Sequence, residues 1–352
     1  MATEQDVQDA MEDESGDAAF DLLTSWMGEC ESGSFANFEL LKELLSAIAD
    51  AAGESEWIDE SQLIEGLTDF CDQLNMQDAR LIEVVADFAL ALEDPNLEVL
   101  VAANPAAPEQ VLRKLSTSDN GWEEQETAEC IAMNPSTPVD VLIALAVTGS
   151  GSAKFEVARN PRTPPDVLAQ LLQDEGCSDV RINLDNRVSN VSVAAAGNIN
   201  CDPGALDRAT VAMSARLESL LASSADQQPS TAAGSSTIAS EPDGRVVCQL
   251  LAALVANPST PISVTESCGS VANATLAVAD SLRSGTPCQG LPPEIHYQDL
   301  VGVLMGFASA PPISEDLMMR LAQHPEEVVR SRVASNTLAS EECRSEAARS
   351  KG

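Results

Sequence analysis

Two histidines, nine cysteines and a few runs of carboxylates are the residues of this 352-residue chain that could do chemistry. His296 and His324 each stand alone in the sequence. An acid–base pair built on either one needs the fold to supply a partner, and their isolation predicts two surface histidines instead. The cysteines are scattered, with no Cys-x-x-Cys pair, which reads as reduced structural thiols rather than a nucleophile or a metal cage. Asp59-Glu60 and Glu12-Asp13-Glu14 could hold a divalent cation, but neither belongs to an Asp-x-Asp-x-Asp-Gly loop, so solvated charge is expected. No Gly-rich phosphate loop, His-Glu-x-x-His or Gly-x-Ser-x-Gly occurs. The expectation is a protein that is not an enzyme, with no catalytic residue, no metal ligand and no cofactor.

Three residues could instead touch a partner. Arg159 and Arg162 bracket Asn160-Pro161 in an otherwise acidic chain and could meet an anion or a carboxylate. The plainer reading is two arginines that balance nearby charge. Trp122 stands just before a helix expected at 123–133, where it is either a binding anchor or a packing residue.

The elements that must position such residues come from a repeat. Residues 101–115 read VAANPAAPEQVLRKL, residues 131–145 IAMNPSTPVDVLIAL, residues 157–171 VARNPRTPPDVLAQL, and residues 254–264 LVANPSTPISV. Asn104 to Asn134 is 30 residues and Asn134 to Asn160 is 26. A weaker copy surrounds Asn198, and a degenerate one places Ala310 where Asn belongs, with Asn336 following 26 residues later. Each unit predicts a helix, a stop, a restart and a second helix. An apolar run ends at an Asn that tolerates the left-handed conformation of a helix C-terminus. The following Pro cannot continue the helix and pushes the Asn out of the α region. Thr163 then caps the next helix, with Pro164 at its first position and Asp166 three residues on, as in a capping box. Val167, Leu168 and Leu171 form its apolar face. A period near 26 also fits leucine-rich repeats, but their strand needs Leu-x-Leu before the Asn, so helix is the better assignment.

The unit V-A-x-N-P-x-T-P-x-x-V-L-x-x-L-A resembles that of the leucine-rich repeat variant family. The likeness covers residues 95–175 well and 245–265 and 305–345 in part. It implies a right-handed superhelix of stacked short helices, α alternating with 3₁₀. Some members of that family carry a cysteine-clustered iron–sulfur module ahead of the repeats. Here only Cys30 and Cys71 precede them, 41 residues apart, and no cluster is carried over.

Composition fits such a chain. Hydrophobic residues make up 44% and aromatics only 3%, so packing rests on Ala, Leu and Val, as closely stacked helices require. The net charge is −37, and residues 1–100 hold 26 acidic side chains against Lys42 and Arg80. That sign opposes binding to phosphate backbones and argues against a nucleic-acid partner. No apolar run follows a basic start, and no 18-residue apolar stretch occurs, so neither a signal peptide nor a membrane span is expected. With reduced thiols, the cytoplasm is the expected compartment.

The sequence thus predicts an all-α protein, an α-solenoid with an N-terminal helical module. Residues 1–17 read as a disordered acidic tail, 18–94 as an acidic helical module or solenoid cap, and 95–222 as helical repeats. Residues 223–244, rich in Ser, Ala and Pro, read as a disordered linker or loop, and 245–352 as degenerate repeats whose last nine residues fray. Residues 148–152 read as a small flexible insertion. The expected function is a non-catalytic scaffold or adaptor that presents its repeat surface to a protein or peptide, to which a basic segment would suit its acidity. The alternatives are a solenoid-type enzyme or cofactor-loading factor and an acidic decoy that imitates nucleic acid. An enclosed apolar pocket with convergent polar groups would mark the former, and regularly spaced charge over residues 1–100 the latter.

Overall fold

The computed structural model describes residues 4–12, 22, 25, 39–45, 79–117, 125–173, 180–182, 187–226, 244–286, 288, 291–311 and 313–349. The regular structure among these residues is helical apart from one antiparallel pair, β1 (Val180–Ile182) with β2 (Arg187–Ser189), in the register Arg181 opposite Val188. No helix among them is long and apolar enough to cross a membrane. The chain forms two compact units, Met1–Arg162 and Thr163–Gly352.

In the first unit, α1 (Glu4–Met11) falls inside the segment expected to be an unstructured tail. Its Val7 and Ala10 are buried, which gives this acidic stretch an apolar reason to order. Helical residues 39–45 bury Leu41, Leu44 and Leu45. The next helix, α2 (Ala79–Leu92), buries Leu81, Val84, Val85 and Phe88, the face predicted from their spacing. Of the helix expected around Phe20 only Leu22 and Ser25 are described, and both are helical; the helix expected around Leu63 to Leu74 lies outside the described residues.

Three repeats follow. Helices α3 (Pro95–Ala103), α5 (Gln125–Met133) and α7 (Gly151–Arg159) end at Asn104, Asn134 and Asn160, and they stack in that order on α2. Helix α4 (Glu109–Leu115) packs on α2 and α3, and α6 (Val139–Thr148) packs on α5 and α7. Asp94 starts α3 by accepting a 2.9 Å bond from the Leu97 N–H, and Pro95 takes the first helical position, where no donor is lost. Residues 148–152 form a tight connection rather than a flexible insertion. Ser150 caps α7 through the Ala153 N–H at 3.2 Å. A Cβ on Gly149 would come within 2.5 Å of the Leu145 carbonyl oxygen, so only glycine allows the turn to close this tightly.

In the second unit, α8 (Pro165–Leu171) packs on α9 (Val191–Gly197), which ends at Asn198. A 24-residue helix, α10 (Pro203–Asp226), follows, so the last residues before 227 extend a helix into the expected linker. The repeat resumes with α11 (Gly244–Ala256), ending at Asn257, and α12 (Ile262–Ser267). Then come α13 (Gly269–Arg283), α14 (Tyr297–Ser309), α15 (Glu315–Ala322), α16 (Glu327–Ser335) and α17 (Glu341–Arg349). Helices α9, α11, α14 and α16, each the first helix of a repeat, pack in succession, while α10 and α13 pack on the α11–α14 pair. The core between them is mostly Leu, Val and Ala, and Phe307 is its single fully buried aromatic. Residues 344–349, expected to fray, are helical. Ser340 caps α17 through the Cys343 N–H at 3.2 Å, and Cys343 and Ala347 are buried.

Candidate functional site

The asparagines of the repeat have a role that their spacing does not reveal. Four buried Asn side chains, those of Asn134, Asn160, Asn257 and Asn336, tie their own repeat to the one before. Asn134 Nδ2 donates to the carbonyls of Ala102 at 2.8 Å and Asn104 at 2.7 Å. Asn160 does the same to Ala132 and Asn134, at 2.7 and 2.9 Å. In the second unit, Asn257 donates to Ala196 and Asn198, and Asn336 to Ala308 and Ala310. The Oδ1 atom meanwhile accepts the N–H two residues on, from Ser136, Arg162, Ser259 and Leu338. Asn134 and Asn160 are only 3% and 2% exposed, and both amide protons and the oxygen are satisfied.

This corrects two expectations. The asparagines are not left-handed: Asn160 sits at φ −64°, ψ 129°, and Asn104, Asn198 and Asn336 are equally extended. The proline that follows Asn160 excludes the α region, as expected, but the residue is Asn for its side chain. Nor does the threonine cap the next helix. The N-cap of α8 is Pro164, with Pro165 first in the helix and no side-chain bond to the cap, and Pro108, Pro138 and Pro261 cap their helices the same way. Where the threonine's bond is defined, it points backwards. Thr137 Oγ1 donates to the Ile131 carbonyl and Thr260 Oγ1 to that of Leu254, each six residues earlier, sealing the last turn of the preceding helix.

Trp122 lies outside the described residues. Arg159 and Arg162 are in place, and both are engaged within the first unit. Arg159 reaches Glu156 at 3.1 Å and stands 5.6 Å from the centre of the Phe155 ring. Arg162 pairs with Glu109 at 2.7 Å and donates to the Ser136 carbonyl at 2.9 Å, so it links α4 to the turn after α5. Arg113 grips both carboxylate oxygens of Asp140, at 3.0 and 2.9 Å, and holds that carboxyl below the usual range. Lys114 pairs with Asp87 at 2.7 Å. Apart from Arg159–Glu156, which lies within α7, these pairs link one helical segment to another, and their weight lies in register rather than in strength.

One histidine reading is overturned. His296 is exposed, at the N-terminal cap of α14, but His324 is 3% exposed in the turn between α15 and α16. Its Nδ1 accepts the Glu326 N–H at 3.2 Å, so the ring proton is placed on Nε2, which has no hydrogen-bond partner among the described residues. Burial holds the imidazole below its ordinary range, opposed by Asp280 and Glu326 and reinforced by Arg283 and Arg330. The same Glu326 accepts the Tyr297 hydroxyl at 3.0 Å. Burial and that carboxylate push the phenol up to about 12. The sequence carried no sign of this cluster, because its members come from separate helices and turns.

The six described cysteines, Cys130, Cys201, Cys248, Cys268, Cys288 and Cys343, are free thiols. Burial pushes Cys130 and Cys201 up to about 11, so both are protonated and poorly nucleophilic at neutral pH. Among the described residues no three His, Cys, Asp or Glu side chains come together as a metal site. The carboxylate pair Asp59-Glu60 and residues Asp13 and Glu14 lie outside the described residues. An open groove of about 560 Å³ runs between α15 and α17, lined by Glu341, Glu342, Glu346, Gln323 and Arg349 among others. It is polar and acidic, unlike an apolar chamber for a small substrate.

Comparison of the chain with protein-family models, with curated proteins and with solved structures finds no match.

Proposed function

We propose that this protein is a non-catalytic scaffold: an α-solenoid of the leucine-rich repeat variant type whose helices present a surface to a protein or peptide partner. The asparagine ladder is the observation that carries this reading. At Asn134, Asn160, Asn257 and Asn336 it fastens a repeat to the previous one through backbone carbonyls, which every residue possesses, so the side chains around it can vary without breaking the stack. They do vary. The exposed residue before the Asn is Ala103, Met133 or Arg159, and the position five after it is Glu109, Val139 or Pro165. Recurrent internal fastening with a variable outer face is the pattern of repeat proteins that bind other proteins. The reading includes the right-handed superhelix of that family and a cytoplasmic setting, which suits free thiols.

Chemical cross-linking of the full chain in native lysate, followed by mass spectrometry, tests it. Lys114 and Lys154 lie in the repeats and should cross-link to a specific protein. A purified chain that instead carries a chromophore, or turns over a small substrate, points to an enzyme or loading factor.

A further inference from the structure

Helix α6 breaks the rule that its neighbours follow. Its sequence, VDVLIALAVT, is apolar on every side, with Asp140 as its only charge. Helices of that kind are ordinarily buried all round. Here Val141, Leu142 and Leu145 are buried, while Val139, Ile143 and Val147 are 38%, 43% and 68% exposed. These three recur every four residues, so they form one stripe along the helix, about 12 Å long at 1.5 Å per residue. In the equivalent helix α4, Glu109 and Arg113 stand where Val139 and Ile143 stand. The apolar stripe is therefore particular to α6 and is not a requirement of the repeat.

We propose that the Val139–Ile143–Val147 face of α6 docks a basic amphipathic helix of a protein partner, a refinement that rests on the scaffold reading above. The stripe has the length and spacing of a helix–helix seam, in which apolar residues at i, i+4 and i+8 meet a similar row on the second helix. Charge selects which helix. The chain carries −37, and the two arginines that bond near the start of α6, Arg113 to Asp140 and Arg162 to the Ser136 carbonyl, are already paired with Asp140 and Glu109. An approaching acidic segment, or a second copy of this chain, is repelled at long range. A segment whose apolar row is flanked by Lys and Arg is attracted and then seated by the stripe.

The probe is a fluorescein-labelled 18-residue Leu/Lys peptide with Leu at i, i+3, i+4 and i+7. Its controls are a scrambled peptide of the same composition and one with Glu replacing Lys. Anisotropy is measured on the full chain and on two variants, Val139→Ser/Ile143→Ser/Val147→Ser and Ile143→Lys. Because these side chains are exposed, the variants should keep the parent melting temperature and circular dichroism. The expected result is binding of the Leu/Lys peptide that weakens at least tenfold in both variants, with the scrambled and Glu peptides binding at least tenfold more weakly than the first. Equal binding by parent and variants, equal binding of the scrambled or Glu peptide, or no binding at all overturns the proposal. So does a dimer in sedimentation that the triple variant dissociates, since the occupant would then be a second copy. The two readings fail separately. A triple variant that cross-links to the same proteins as the parent removes α6 and leaves the scaffold; a parent chain that cross-links to none removes both.

Discussion

A buried asparagine that joins two repeats through two hydrogen bonds and holds its own turn through a third should be costly to replace. Asn134→Ala strips the Ala102 carbonyl of this donor and the Ser136 N–H of its acceptor, while the Asn104 carbonyl keeps the Ala107 N–H; each group left unsatisfied costs about 1–3 kcal/mol. Denaturant melts should show a loss of about 2–4 kcal/mol. Asn134→Asp should be at least as harmful, because its carboxylate turns oxygen toward oxygen. Ser136→Ala, which loses only an exposed 3.3 Å bond to the Pro105 carbonyl, is the control and should cost no more than about 1 kcal/mol. If the Ala and Asp variants melt like that control, the ladder contributes nothing. Thr137 separates shape from bonding in the same way. Thr137→Val keeps the volume and loses the donor to Ile131, so it should cost about 1 kcal/mol or more, whereas Thr137→Ser should hold most of the stability. His324 gives the second unit a pH dependence. Its folded form favours the neutral ring, and protonation would also remove the acceptor for the Glu326 N–H. The unfolded chain takes up the proton first. This stability is thus complete above the unfolded value of about 6.5 and is lost as pH falls from there through the lower folded value. His324→Gln should flatten the fall in melting temperature between about pH 7 and 5, the range in which a histidine titrates. An unchanged slope would assign that fall to other groups.

At the scale of elements, two helices meet backbone to backbone where the ladder is interrupted. Ala310 occupies the Asn position at the end of α14, so that residue has no side-chain amide to donate to the repeat before it. Gly306 compensates. A Cβ at this position would meet the Ala252 carbonyl oxygen at 2.6 Å and its Cα at 2.9 Å, so α14 lies directly against the backbone of α11. Gly306→Ala favours helix formation locally, but the helices must separate to admit it. Overpacking of this kind costs about 1–3 kcal/mol and should outweigh the gain of up to about 1 kcal/mol in propensity. A stabilised variant in thermal melts would mean that the two helices can shift apart freely. The same scale explains how Asn198 and Asn257, 59 residues apart, remain neighbours. Helix α10 leaves the repeat, α11 returns to it, and Ser259 Oγ adds a 2.7 Å bond to the Ile199 carbonyl.

For the whole molecule, charge is the dominant long-range term. At −37 the folded chain repels itself, and this repulsion reaches about 10 Å in 0.1 M salt but about 30 Å in 0.01 M. The melting temperature should rise as salt is raised from about 10 to about 200 mM, although the exposed ion pairs Arg113–Asp140 and Lys114–Asp87 weaken over the same range. A falling melting temperature would show that those pairs outweigh the repulsion. Binding of a basic partner should respond the other way. Its rate of association should drop steeply with salt, while the apolar contribution of the α6 stripe persists.

The sequence by itself determined the helices and their boundaries wherever the cause was local. Proline after Asn134 and Asn160 excludes the α region, and a second proline restarts the helix without costing a donor, so helix–turn–helix units were legible from a few adjacent residues. The acidity and the Ala, Leu and Val core were equally plain. Only the tertiary structure decided what the polar residues of the turns are for. The acceptors of Asn134, Asn257 and Asn336 lie 26 to 61 residues away, on another repeat, and no local pattern encodes a bond to a backbone carbonyl, which every residue carries. His324 looked exposed because the groups that bury it come from other helices. The face of α6 was illegible for the opposite reason. A helix apolar all round has no polar side to orient it, and packing alone left Val139, Ile143 and Val147 outside.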